Sequence, residues 1–325
     1  MSASIDSDDT ASHSSPILVP HRIDDLWFED GNLVLATQIS LFRVYRGLLA
    51  KESPVFRDML RIPQPTDAET LDNCPVVHLP DDDEDVEFFL KALFDYKSFP
   101  PPPCPTTFEA LRGVARLSKK YEVDLLYKRA LAHFATAFPT TLTDYPPSSS
   151  WTVGPHHHLL SVLLARELTV EWVLPIAFYG VCRELSVDSV LNGLHVENTR
   201  MELCPQDKRV SLEQYTALRG NASSAILEFL WRPDSFKGCL SSAQCKASRV
   251  DCRRTAENRR TKDIMPLTLW TDGDWSELTV CERCLKAMKT AHKSALDRLW
   301  DSLPERFGLA RWDTMEEMKR HASDN

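Results

Sequence analysis

The chain has 325 residues, and at about 150 residues per domain this length anticipates roughly two domains. Its 38 Lys and Arg against 47 Asp and Glu give a formal charge of −9, which argues against a protein that coats nucleic acid through its overall field. Apolar content of 43% supports a sizeable core and excludes disorder of the whole chain, while 21 Pro against only 10 Gly leaves little material for glycine-rich phosphate loops.

Residues 1–20 are rich in Ser and Asp, contain no apolar leader, and are expected to form a disordered tail without a secretory signal. Leu26-Trp27-Phe28 and Leu33-Val34-Leu35 flank Glu29-Asp30-Gly31-Asn32, a pattern that predicts a β-hairpin. Ser53-Pro54 ahead of Val55, Phe56, Met59 and Leu60 marks a helix start, with Pro63 and Pro65 ending that helix. Val76 to Leu79 reads as a short strand. Asp81 to Asp85 then introduces a helix carrying Val86, Phe88, Phe89, Ala92 and Leu93, with acids suited to its positive end. After the stiff run Pro100 to Pro105, a capping box from Thr106 to Glu109 opens the first of two further helices. Tyr145-Pro146-Pro147-Ser148-Ser149-Ser150 is the main break in composition. Beyond it the sequence reads as helix, with Pro175 expected to kink or split one segment. The longest apolar run, Leu159 to Ala165, is far short of the ~20 residues that a membrane span needs, so no membrane association is expected.

The first domain resembles a BTB (POZ) domain, in the version found in a group of fungal, mostly mushroom-type, BTB proteins. The residues that carry the resemblance are Trp27 to Asn32, Leu41 to Arg46, Leu48-Leu49-Ala50, Ser53 to Met59, Leu79-Pro80-Asp81, Asp85 to Leu90 and Leu117 to Tyr121. Tyr45 stands where such domains commonly carry His. The resemblance extends weakly to Leu174 to Tyr179, Leu299-Trp300 and Leu303-Pro304. It implies a small sheet covered by helices, an absence of catalysis, and protein–protein association through a homodimer or as an adaptor. A cullin-type ubiquitin-ligase scaffold is one partner that it permits. Phe42, Val44, Leu48, Leu49, Val55, Phe56, Met59, Leu90 and Leu93 are expected in the core.

The expected fold class is thus α+β, with a BTB/POZ fold over 21–145 followed by a mainly α-helical region. A linker is expected over 146–155, a helical region over 156–235, and a Cys-rich subdomain over 236–325. Nine Cys, an odd count, fit a reduced intracellular protein of the cytoplasm or nucleus.

Cys281-Glu282-Arg283-Cys284 is a C-x-x-C, and two thiolates at this spacing can grip one Zn²⁺ because the turn brings both sulfurs to one side. Cys239 and Cys245 are the candidates for the second pair, with Cys252 or His292 as substitute ligands. The spacing is looser than in common zinc modules, and three readings stay open: a structural Zn²⁺ site, a set of free thiols, and a redox C-x-x-C that lacks a surrounding βαβ pattern. The fungal group shares a similar C-terminal Cys pattern.

Eight basic residues from Lys237 to Lys262 (Lys237, Lys246, Arg249, Arg253, Arg254, Arg259, Arg260, Lys262) face only Asp251 and Glu257. Few aromatic residues are interleaved for base stacking, so a solvated helix face or a nuclear-import signal is expected before a nucleic-acid partner, and a transcription or chromatin role is the competing class. His156-His157-His158 after Pro155 reads as an exposed helix start, because adjacent side chains on a helix diverge. No G-x-G-x-x-G, P-loop, H-E-x-x-H or G-x-S-x-G occurs, and the expected function is that of a non-catalytic interaction protein.

Overall fold

The computed structural model describes residues 20–63, 67–196, 199–231, 236–260 and 265–324. The tail expected over 1–20 lies outside the described residues but for Pro20, as do Pro65, Lys262 and the side chains of Arg259 and Arg260. The short apolar runs of the first third form β1 (His21–Trp27), β2 (Leu33–Ala36), β3 (Ser40–Val44), β4 (Thr70–Leu71) and β5 (Cys74–His78), in the order β1-β3-β2-β5-β4. β2 is flanked on both edges: antiparallel to β3, with Leu33 opposite Val44, and parallel to β5, with Val34 opposite Val76. All four of its residues are buried, as suits a central strand.

The hairpin expected between the first two apolar runs is corrected. Glu29 to Asn32 does not join paired strands; β1 runs parallel to β3, with His21 opposite Ser40 and Trp27 opposite Arg43. The hairpin forms one step later, between β2 and β3. There Thr37 donates its N–H to the Ser40 carbonyl at 3.0 Å, and the two-residue connection Gln38-Ile39 fixes the antiparallel register.

Side-chain caps start three of the five helices that share one apolar core with this sheet. The five are α1 (Arg46–Glu52), α2 (Pro54–Arg61), α3 (Asp83–Phe94), α4 (Phe108–Lys120) and α5 (Asp124–Ala137). Ser53 Oγ accepts from the Phe56 N–H at 3.0 Å and Pro54 occupies the first turn of α2, as its sequence predicts. α4 is capped one residue later than predicted, by Thr107, which accepts from Ala110 N–H at 3.1 Å, while Thr106 N–H bonds the Ser150 carbonyl. α3 and α4 approach closely at Gly113, where a Cβ would lie 2.9 Å from Asp85 Cα. This proximity lets the buried Asp85 carboxylate accept from Arg112 Nε at 2.9 Å and Arg116 Nη1 at 2.7 Å. Of the expected core residues, Phe42, Val44, Leu49, Phe56 and Leu90 are buried, whereas Leu48, Val55, Met59 and Leu93 are half-buried.

Both proline-rich segments are pinned to α5. The His133 ring bridges the Pro100 carbonyl at 2.7 Å and Ser150 Oγ at 2.8 Å, and Trp151 is buried against Phe108, Phe134 and Phe138. Then follow α6 (Pro155–Leu168), α7 (Leu174–Glu184), α8 (Val187–Asn192), the hairpin β6 (Leu194–Val196) and β7 (Thr199–Met201), α9 (Pro205–Ala217), α10 (Ser223–Ile226) and α11 (Glu228–Trp231). α6 ends at Leu168, where Thr169 turns left-handed at φ +58°, and Pro175 sits in the first turn of α7, where its missing N–H costs no helical bond. Asp207 of α9 is buried and paired with Arg166 of α6 at 2.7 Å.

The histidine triplet opens α6, but the expectation of an exposed start holds only for His156. His157 is half-buried, and His158 is 6% exposed with its ring directly over Gly180 of α7. Successive helical residues diverge by about 100°, so one of three adjacent side chains must turn inward once the helix packs.

The last part comprises α12 (Ser242–Arg260), α13 (Asp272–Ser276), α14 (Glu282–Arg306) and α15 (Trp312–Asp324). One large apolar core runs from Leu26 in β1 to Met315 in α15. A second, much smaller core is built from Leu227, Phe229, Leu230, Cys252, Ala256, Leu269, Trp270, Leu278 and Met288. Where the two parts of the chain meet, Tyr179 Oη in α7 accepts from the Leu267 N–H at 3.0 Å. The architecture is α+β, a small mixed sheet at the N-terminal end followed by helices, as the sequence predicts. Among the described residues no helix is long and apolar enough to cross a membrane.

Candidate metal centre

The small core is flanked by four cysteines brought together by two local devices. In the first, Gly238 adopts φ +79°, which lets the chain turn so that Cys239 N–H reaches the Phe236 carbonyl at 2.9 Å. Six residues later Cys245 enters the first turn of α12, with its N–H bonded to the Ser241 carbonyl at 2.9 Å. In the second, Cys281 is the N-cap of α14 and Cys284 lies one turn inside the helix, the separation at which side chains share a face.

The sulfurs of Cys239, Cys245, Cys281 and Cys284 all lie within 4.8 Å of one another. Cys239 Sγ and Cys281 Sγ are 4.0 Å apart, so these thiols are near neighbours and are not disulfide-bonded. A tetrahedral Zn²⁺ with Zn–S bonds of about 2.3 Å spaces its sulfurs by about 3.8 Å, which the cluster approaches closely. Cys239 and Cys281 are half-buried, and Cys245 and Cys284 are buried.

Electrostatics make the four thiols unequal. Cys281 is pushed down to about 6 by the backbone N–H groups of Leu240 and Cys284, which point at its sulfur at the positive end of a long helix. Burial drives the thiols of Cys245 and Cys284 up, and the neighbouring sulfurs add to the effect on Cys284. Cys245 Sγ also accepts from the Cys281 N–H at 3.2 Å. Were all four deprotonated, a cation would have to offset their charge, and the all-sulfur donor set fits Zn²⁺. Four protein ligands close a tetrahedral site, leaving no position for water or substrate.

The substitute ligands lie elsewhere. Cys252 is seven residues beyond Cys245 on α12 and His292 eight beyond Cys284 on α14, rises of about 10 and 12 Å at 1.5 Å per residue. Cys252 belongs to the small apolar core, and the His292 ring packs edge-on against Phe229 and Trp275 at 5.6 and 5.4 Å. Burial pushes His292 down to about 4, and its Nε2 has no hydrogen-bond partner among the described residues.

Two features escaped the sequence reading, though their periodicity is present. Buried residues on α14 run Cys284, Met288, His292, Ala295, Leu299 and Leu303, a helical stripe that assigns His292 to the interior. Among the described side chains of α12 the buried ones are Cys245, Ser248, Arg249, Cys252 and Ala256. The solvated-face expectation is therefore corrected at Arg249, which is 2% exposed with its guanidinium 5.6 Å from the Phe236 ring. Arg253 is half-buried and donates to the Leu230 carbonyl. Lys246 and Arg254 are exposed, but share their face with Asp251 and Glu257, so the described part of this segment presents no uniform basic surface. No family model matches this chain, and no match is found among the curated proteins.

Proposed function

We propose that this chain is a non-catalytic interaction scaffold. Its N-terminal part, read as a BTB-type domain, binds a second copy or a partner protein, and its C-terminal part is held in shape by one structural Zn²⁺. The observation that carries the metal half is the convergence of the Cys239, Cys245, Cys281 and Cys284 sulfurs within 4.8 Å. Zinc there supplies the cross-link that a nine-residue core is too small to replace. For the association half, support comes from the residues that resemble the BTB pattern and from a small mixed sheet that shares one apolar core with α1 to α5.

Two measurements on the full chain test the proposal. Light scattering should give twice the 37.0 kDa chain mass, and a monomer at high concentration would count against self-association. Elemental analysis should find about one zinc per chain. A metal-free protein with an unchanged melting profile would remove the metal half.

A further inference from the structure

We propose that the solvent face of α14 between Glu282 and Lys293 is a docking site for an acidic, amphipathic segment of a partner protein. Lys286, Lys289 and Lys293 are exposed on α14 at i, i+3 and i+7. With Glu282, Leu285 and Thr290 they line a groove of about 380 Å³ whose floor is the half-buried Leu285 side chain and the lysine stems.

Three observations point outward from this face. First, like charges at i, i+3 and i, i+4 repel, so Lys286, Lys289 and Lys293 oppose the helix that carries them. Among the described residues neither Lys286 nor Lys289 forms an ion pair, and Lys293 reaches Asp297 only at 4.0 Å. Lys289 is instead held with its ammonium 5.7 Å from the Trp275 ring, which keeps its charge at the groove. Second, the stripe occurs in a chain of net charge −9, so it does not simply reflect a basic composition. Third, the groove is apolar between its cations, which suits a segment that places an aliphatic side chain on Leu285 and carboxylates beside the lysines. The three lysines span about 10.5 Å along the helix, the length of two turns of a partner helix.

A phosphate backbone is less well matched. The groove lacks an aromatic side chain for base stacking, and the Glu282 carboxylate stands at one end. These residues lie on the side of α14 opposite the buried Cys284, Met288 and His292, so a partner seated on them meets none of the four clustered cysteines from that helix's inner face.

Fluorescence anisotropy of the full chain tests the site. The probes are a labelled helical peptide of about 14 residues with Glu at i, i+3 and i+7 around a central Leu, the same peptide with Gln or Lys at those positions, and a labelled duplex DNA. The Glu peptide should bind at least about tenfold more tightly than the Gln peptide. The combined variant Lys286→Glu, Lys289→Glu and Lys293→Glu should lose at least about tenfold for the Glu peptide and gain affinity for the Lys peptide, since the complementarity is exchanged. Should that variant fail to fold, Lys286→Gln with Lys289→Gln is expected to lose several-fold alone. Equal binding of the Glu peptide by wild type and variants overturns the proposal. So does tighter, steeply salt-dependent binding of the DNA, which would assign the face to nucleic acid.

Discussion

The His158 ring of α6 lies directly against Gly180 of α7, where the two helices pack. A Cβ at position 180 would stand 2.1 Å from His158 Nδ1, so Gly180→Ala must expel the ring or part the helices. The better helix propensity of Ala, worth up to about 1 kcal/mol, is outweighed by an overpacking cost of about 1–3 kcal/mol, and a lowered urea midpoint is the expected result. The same histidine gives a pH dependence. Burial, helped by the Arg183 charge, pushes His158 down to about 3, and neither ring nitrogen has a hydrogen-bond partner among the described residues. Its neutral form is the folded one, while the unfolded chain takes up a proton near pH 6.5. The stability it contributes is therefore complete above pH 6.5 and declines as pH falls toward 3, by at most about 1.4 kcal/mol per pH unit. His292, pushed down to about 4, acts in the same sense. Urea midpoints should drop between pH 7 and pH 5, and His158→Leu should flatten part of that slope. An identical midpoint at both pH values would contradict the buried, neutral assignment.

The N-terminus of α14 is the element on which the C-terminal part turns, because it supplies both Cys281 and Cys284 to the cluster and Met288 to the small core. Replacing Cys281 and Cys284 together by Ser leaves hydroxyls that bind zinc poorly. Metal content should fall to background, and the C-terminal region should lose its protection against hydrogen exchange while the sheet keeps its own. Elements set by neighbours in sequence were legible from sequence. Ser53 and Pro54 start α2 because the cap and the first turn are adjacent, and Pro175 starts α7 for the same reason. The C-x-x-C at the head of a helix is local too, so Cys281 and Cys284 could be read as a pair. What was not legible depends on distant partners. The parallel pairing of β1 with β3 is decided by which strand lies alongside it, and the inward turn of His158 and Arg249 by which side of α6 or α12 meets another helix. His292 stood as a substitute ligand by its count from Cys284, but the rise of the helix carries it away from the four sulfurs.

At the scale of the whole molecule, the two cores differ greatly in size, so they should differ in how they come apart. A chelator at neutral pH is expected to loosen α11 to α13 and the first turns of α14 without melting the sheet. Near-ultraviolet circular dichroism should report the loss through Trp270 and Trp275, which pack in the smaller core, while the far-ultraviolet signal falls only in part. A single cooperative loss of both signals would mean that the two parts are coupled into one unit, through α14, which carries Met288 of the smaller core and Leu299 and Leu303 of the larger, and through the Tyr179 to Leu267 contact. The separation of the cysteine pairs also has a consequence in time. Cys281 lies 36 positions after Cys245, and at about 5–20 residues per second a ribosome needs roughly 2–7 s to add that stretch. For those seconds each nascent chain carries half of the proposed ligand set, Cys239 and Cys245, which on that reading can begin to capture an ion but cannot enclose it. Whatever oxidant or competing metal meets the chain in that interval acts before the second pair has been made.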